Sequence, residues 1–151
     1  MSEVLDRKGI EALIPHREPF LLIDRVTELE PGVRCVAEHT FTGEEWYLKG
    51  HFPGNPIVPG VILVESCAQT ATVGAMALPD YRDGIGLFAG IEEMKFKRIC
   101  RPGDTARFTA EFVKMGRGFA RVKVSARVGD ELAAEGTILA LFQSSEKVKA
   151  R

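Results

Sequence analysis

Residues 50–77 read GHFPGNPIVPGVILVESCAQTATVGAMA. The first part is a loop crowded with Gly and Pro that carries His51, and from Pro59 onward it gives way to an apolar run over 61–77. Small and aliphatic residues occupy every face of the helical wheel there, so the pattern predicts a helix enclosed by protein. One carboxylate, Glu65, lies inside that run, with Gln69 one turn further along the same face. A carboxylate among apolar residues is rare enough to mark a functional position.

Working outward, 151 residues with 45% hydrophobic and 27% charged side chains make one ordinary globular domain over 1–151. A formal net charge of -1 argues against nucleic acid as the main partner and leaves room for a local basic patch. Cys35, Cys67 and Cys100 are odd in number, far apart and set in apolar or strand-like surroundings, which suits reduced thiols in a cytoplasmic protein. There is no CxxC pair to suggest a metal. The N-terminal stretch is charged and has no signal-peptide core. The run over 61–77 is too short, and too polar at Glu65, to span a bilayer.

Asp6 is placed to cap a helix over 7–13 that Pro15 ends, and His16 reads as a structural or exposed residue in the turn that follows. PFLLIDRVTELEPG, residues 19–32, reads as a strand with a Pro31-Gly32 turn, and 33–41 as its return, with His39 structural. After an aromatic link at 44–49 and the central helix, strands are expected at 86–96, 106–113, 122–128 and 132–142. RPGD, MGRG and Gly129-Asp130 supply the turns, and 143–151 is a polar tail. The class is α+β. A flat sheet cannot bury a helix that is apolar all round, so the sheet has to curl around it. Open strand edges then point to a homodimer with continuous sheets.

The chemistry follows from the same stretch. An apolar neighbourhood keeps the Glu65 carboxyl protonated and able to serve as an acid, while the His51 imidazole can serve as a base. Gln69 can hold the Glu65 carboxyl in place. At the helix start the first N–H groups, Gly60 and Val61, lack intrahelical acceptors and sit at the positive end of the dipole, where they can polarise a carbonyl. Acid, base and donors together suit proton removal next to a carbonyl, followed by loss of a β-hydroxyl as water.

GHFPGNPIVPGVILVESCAQ resembles the GHFPxxPxxPGVxxxExxAQ signature of the β-hydroxyacyl-acyl-carrier-protein dehydratases, the FabZ type of bacterial fatty-acid synthesis. IPHREPFLLIDRV before it and FAGIEEMKFKRICRPGD after it match the family pattern in the same order, so the resemblance covers about residues 10–142. It implies a hotdog fold, a homodimer assembled as a trimer of dimers, and conversion of (3R)-3-hydroxyacyl-carrier thioesters to trans-2-enoyl thioesters without metal or redox cofactor. By position it implies His51 as the base and Glu65, from the other chain, as the acid. Gly60 N–H would hold the thioester oxygen, and Gln69 would orient Glu65. The related dehydratase-isomerase type has Asp where this chain has Glu65.

Where the family commonly shows NEPFFxGHFP, this chain has EEWYLKGHFP, so Trp46 and Tyr47, with Phe52 and Pro53, are expected to line the substrate tunnel. The resemblance also places a cis bond at Phe52-Pro53. Acyl carrier protein, with its phosphopantetheine-linked substrate, is an acidic partner. Lys95, Lys97, Arg98 and Arg101 form the densest basic cluster and read either as its docking surface or as a solvated face. Cys67 faces away from Glu65 and reads as core. A hotdog acyl-thioesterase and a non-catalytic acyl-thioester-binding protein are the alternatives; a full set of acid and base weighs against both.

Overall fold

A computed structural model describes residues 3–144. Residues 145–151 of the expected tail lie outside them, and Gln143 and Ser144 belong to the last strand. In chain order the elements are α1 (Arg7–Leu13), β1 (Arg25–Glu30), β2 (Arg34–Thr40), α2 (Gly60–Met76), a 3-10 turn (Pro79–Tyr81), β3 (Gly84–Phe96), β4 (Thr105–Gly116), β5 (Phe119–Val128) and β6 (Glu131–Ser144). Asp6 caps α1 as expected, its carboxylate accepting the Gly9 N–H at 2.8 Å.

One antiparallel sheet takes the order β1-β2-β4-β5-β6-β3. Two-residue turns join β4 to β5 and β5 to β6. In the first, Arg117 and Gly118 both have positive φ, 55° and 79°, a backbone twist that matches the strands it joins. β5 alternates: Ala120, Val122, Val124 and Ala126 are buried in the core and the residues between them are not.

All six strands touch α2. Six strands laid flat would span about 24 Å, about twice the width of a helix, so common contact requires the sheet to wrap. Gly74 makes one approach possible, since a Cβ there would lie 2.8 Å from the Phe112 ring and 3.4 Å from Cys35 Cβ. Phe41, Phe108, Met76, Val73 and Val122 fill the space between helix and sheet. A long central helix wrapped by a curled antiparallel sheet is the hotdog arrangement.

Two expectations need correction. The helix is not enclosed on every face: Gly60, Val61, Glu65 and Ala68 fall outside its buried set, and Val61 is 72% exposed. The last three follow helical spacing and form one open stripe. The strand expected from residue 20 begins only at Arg25. Leu21, Leu22 and Ile23 are buried, but side chains take the place of a neighbouring strand. Arg7 donates to the Leu21 and Ile23 carbonyls at 3.0 Å each, while the Gln69 amide accepts from Leu22 N and donates to Phe20 O at 2.8 Å each. An apolar run reports burial and leaves open what pairs with the backbone.

His39, read as structural, sits between two carboxylates: Nδ1 lies 2.8 Å from Asp24 Oδ1 and Nε2 lies 3.0 Å from Glu45 Oε2. Burial alone would lower its pKa, but hydrogen bonds and charge from Asp24 and then Glu45 outweigh this and raise it. Asp24 and Glu45 are raised by burial and more strongly lowered by hydrogen bonds, from His39 and Thr40 N–H and from the 42–45 backbone and His39 respectively. A raised folded-state pKa stabilises below the unfolded imidazole value of about 6.5 and loses that stabilisation as pH rises through the folded value. The lowered carboxylates stabilise above their unfolded values and lose that as pH falls. The stability difference between wild type and His39→Phe is therefore expected to peak between about pH 4.5 and 6.5 and to narrow above neutrality. Urea titrations across pH would check this, and a difference that widens above neutrality would contradict it.

β3 is the sheet edge beyond β6. Its Leu87, Phe88, Ile91 and Phe96 are 39 to 53% exposed, and among the described residues the backbone edge of this thirteen-residue strand away from β6 pairs with no other strand.

Candidate active site

The Gly/Pro loop holds His51 by its backbone. His51 N–H bonds to Leu48 O at 3.1 Å, His51 O accepts from Ile57 N at 2.8 Å, and Phe52 and Asn55 exchange N–H···O bonds. The imidazole Nδ1 lies 2.8 Å from Ile57 O. A carbonyl can only accept, so Nδ1 carries the hydrogen and Nε2 keeps its lone pair, the tautomer a base requires. The Phe52 ring stacks on the imidazole, centroids 4.1 Å apart. The cis bond expected at Phe52-Pro53 lies one residue earlier, between His51 and Phe52, and a second cis bond is at Glu18-Pro19.

His51 opens on a cleft of about 440 Å³ that Gly60, Leu63, Phe96 and Lys97 also line. Gly60 begins α2, and Ile62 N bonds to Pro59 O, so the Gly60 and Val61 N–H groups stand free of the helix ladder, and Gly60 shares the cleft of the histidine. A Cβ at position 60 would lie 2.9 Å from the half-exposed Phe96 ring, so a side chain there would have to displace that ring.

Glu65 lies in a different cavity of about 50 Å³, lined among others by Ala68, Thr72, Gly86 and Phe142. Its carboxyl Oε2 accepts from Gln69 Nε2 at 3.0 Å. The Gln69 amide cannot turn over, because its oxygen is held by Leu22 N–H. Oε2 is therefore an acceptor, and when Glu65 is neutral its hydrogen sits on Oε1. Burial raises the Glu65 pKa, and the Gln69 bond only partly opposes this. The structure thus places His51 with Gly60 and Glu65 with Gln69, and it does not bring the two pairs into one cavity of one chain.

The four residues expected to line the tunnel differ in exposure within one chain. Phe52 and Pro53 are exposed on the His51 loop, Tyr47 is buried, and Trp46 is half exposed with Nε1 donating to Pro19 O at 3.0 Å. Of the basic cluster, Arg98 pairs with Asp104 at 3.1 Å and Glu131 at 3.4 Å, and Arg101 donates to Asn55 Oδ1 at 2.9 Å. Lys95 and Lys97 are exposed, and Lys97 edges the His51 cleft. Cys67 is core: its thiol faces Ser125 O at 3.7 Å, and burial pushes it up to about 12.

His16 was read as structural, yet it lines the Glu65 cavity, with Nε2 3.9 Å from Glu65 Oε2. No spacing links positions so far apart. The available signal was its place inside IPHREPFLLIDRV, one of the stretches that carried the resemblance.

A part-buried carboxyl held by an amide, and an imidazole beside a free helix N–H, are the groups that an acid-base enzyme of the hotdog fold requires. Residues 14–137 match the FabA-like domain. The chain is 50% identical over 136 residues to the 3-hydroxyacyl-[acyl-carrier-protein] dehydratase FabZ of Chloroflexus aggregans, covering 90% of this chain and 94% of that one. It is 42% identical over 149 residues to the FabZ of Moorella thermoacetica, covering 96% and 100%. In fold alone it is similar to the dehydratase heterocomplex ApeI:P from Xenorhabdus doucetiae, with a TM-score of 0.81 at 14% identity over 93% and 95% of the two chains. The chain belongs to the FabA-like family and, within it, to the 3-hydroxyacyl-[acyl-carrier-protein] dehydratases of the FabZ type.

Proposed function

We propose that the chain removes water from (3R)-3-hydroxyacyl groups carried on the phosphopantetheine of acyl carrier protein, giving trans-2-enoyl thioesters in cytoplasmic type II fatty-acid synthesis. The observation that carries this reading is Glu65: a carboxyl whose pKa is raised by burial, which favours its protonated form, and which Gln69 fixes so that the hydrogen of that form is available on Oε1. His51 Nε2 takes the α-proton, and the freed electron pair moves toward the thioester oxygen, which the Gly60 N–H receives. The pair then returns to form the Cα–Cβ double bond as the β-C–O bond breaks, and the Glu65 proton leaves with the hydroxyl as water. These three groups account for every proton and electron pair in the sequence.

The acid and the base come from different chains. In support, they open on separate cavities of one chain, the cavity at Glu65 is too small for an acyl chain, and α2 has an open stripe at Val61, Glu65 and Ala68. The unpaired apolar edge of β3 is where a second copy would extend the sheet, and three such dimers form the assembly. Lys97, beside the His51 cleft, is the cation best placed to meet an acidic carrier.

Incubation with a 3-hydroxyacyl-carrier thioester should give rising enoyl-thioester absorbance. His51→Ala is expected to cut the rate by about 10²- to 10⁴-fold. Release of free thiol without enoyl product would mark a thioesterase, and binding without turnover would mark an acyl-thioester binder. Either result would overturn the reading.

A further inference from the structure

The segment between α1 and β1 brings a second side chain to the acid. Arg17 wraps that segment, donating to the backbone carbonyls of Glu11, Ile14 and His16 at 2.7 to 2.9 Å, and so holds the backbone that carries the His16 ring. The ring faces Glu65: Nε2 stands 3.9 Å from Oε2, both side chains are 19% exposed, and both line one cavity. The other nitrogen, Nδ1, is buried with no hydrogen-bond partner among the described residues. Burying a bare lone pair costs less than burying an unpartnered N–H, so the hydrogen belongs on Nε2, toward the carboxyl.

We infer that His16 is a positioning residue for the acid: with Gln69 it forms a two-donor seat for Glu65 Oε2 that holds the hydrogen on Oε1 and steadies the carboxylate left once that hydrogen has gone.

The inference rests on the dehydratase reading and deepens it. Gln69 stands at hydrogen-bond distance from Oε2, and His16, about an ångström further out, is close enough to be drawn in by a negative carboxylate. A contact that tightens as charge develops acts on the rate of proton donation more than on substrate binding. The donor also has to be neutral, because an imidazolium would draw the proton off Glu65 before substrate arrived. Burial, and then the neighbouring Arg17 charge, lower the His16 pKa and keep it so. From the other elements at the cavity, β3 presents Gly86, Leu87 and Phe88 and β6 presents Ile138, Ala140 and Phe142, none of them titratable. On its own helix Glu65 faces Ala68, Ala71 and Thr72, so among the described residues His16, with Arg17 beside it, is the titratable neighbour of the acid in this cavity.

The test compares kcat against pH for wild type, His16→Phe and His16→Gln. The Phe variant keeps the bulk of the ring and removes the donor. Its kcat is expected to fall about tenfold, short of the ~10²-fold or greater loss of a donor acting directly on substrate, with KM nearly unchanged. The basic limb, which reports the acid form of Glu65, should move to higher pH, because loss of a donor to the carboxylate raises its pKa. Mere loosening of the site would let water in and move that limb down. His16→Gln restores an N–H and should recover most of kcat. Titration of the carboxyl infrared band that Glu65→Gln removes should show the same upward shift without substrate. If His16→Phe does not fold, His16→Met serves in its place. A limb that stays or moves down, or a Gln variant no better than Phe, overturns the inference. Inactive wild-type protein would instead overturn the dehydratase reading beneath it.

Discussion

Mixing His51→Ala protein with Glu65→Gln protein, each alone nearly inactive, is expected to restore about a quarter of wild-type activity once subunits have exchanged. The figure follows from counting sites. If base and acid come from different chains, a mixed dimer has one site with both substitutions and one with neither. Random exchange makes about half of the dimers mixed, and half of their sites are intact. If both groups came from the same chain, no mixture could contain an intact site and the activity would stay at the floor. The placement of His51 beside Gly60 and of Glu65 beside Gln69, in separate cavities, favours the first outcome. Activity of the unmixed proteins sets the floor, and incubation in mild urea before dilution ensures exchange.

Gln69→Leu is the second large effect, and it should appear in stability and in turnover together. Gln69 is fully buried and serves three partners: it accepts from Leu22 N–H, donates to Phe20 O, and donates to Glu65. Leucine fills the space but leaves a buried N–H and a buried C=O unpaired, at about 1–3 kcal/mol each. A loss of roughly 3 kcal/mol is therefore expected from urea unfolding, about 6–12 °C in Tm for a domain of this size. The Glu65 pKa, relieved of the hydrogen bond from Gln69 that lowers it, should rise further and kcat should fall. Thr70→Val is the matched control. Thr70 is equally buried, but its hydroxyl bonds only to Ser66 O of its own helix, so about 1 kcal/mol is expected and kcat should be unchanged. Equal losses for the two variants would mean that the amide contributes nothing beyond a generic buried polar group.

The legible parts of this chain were those where periodicity and burial say the same thing. The β4 and β5 alternation, the two-residue turns and the apolar run of α2 carry their geometry in residue type, and the wrapped sheet follows from the helix alone. Glu65 was visible as an anomaly within a pattern. The stretch at 20–23 was misread because an apolar run is compatible with any buried backbone; here its partners are the side chains of Arg7 and Gln69, distant in sequence. His16 was passed over for the same reason, since only the folded chain sets it against Glu65.

The segment joining α1 to β1 lacks regular structure, and connections of that kind usually accept extra residues without much cost. This one should not. Its carbonyls at 20, 21 and 23 and its amide at 22 each meet a side chain anchored elsewhere, and Arg17 clasps the residues before them. Adding or deleting one residue between Arg17 and Asp24 would carry the whole set out of register and swing His16 away from the acid. Under insertion and deletion, a stretch with the look of a loop is expected to be as intolerant as the core it lies against.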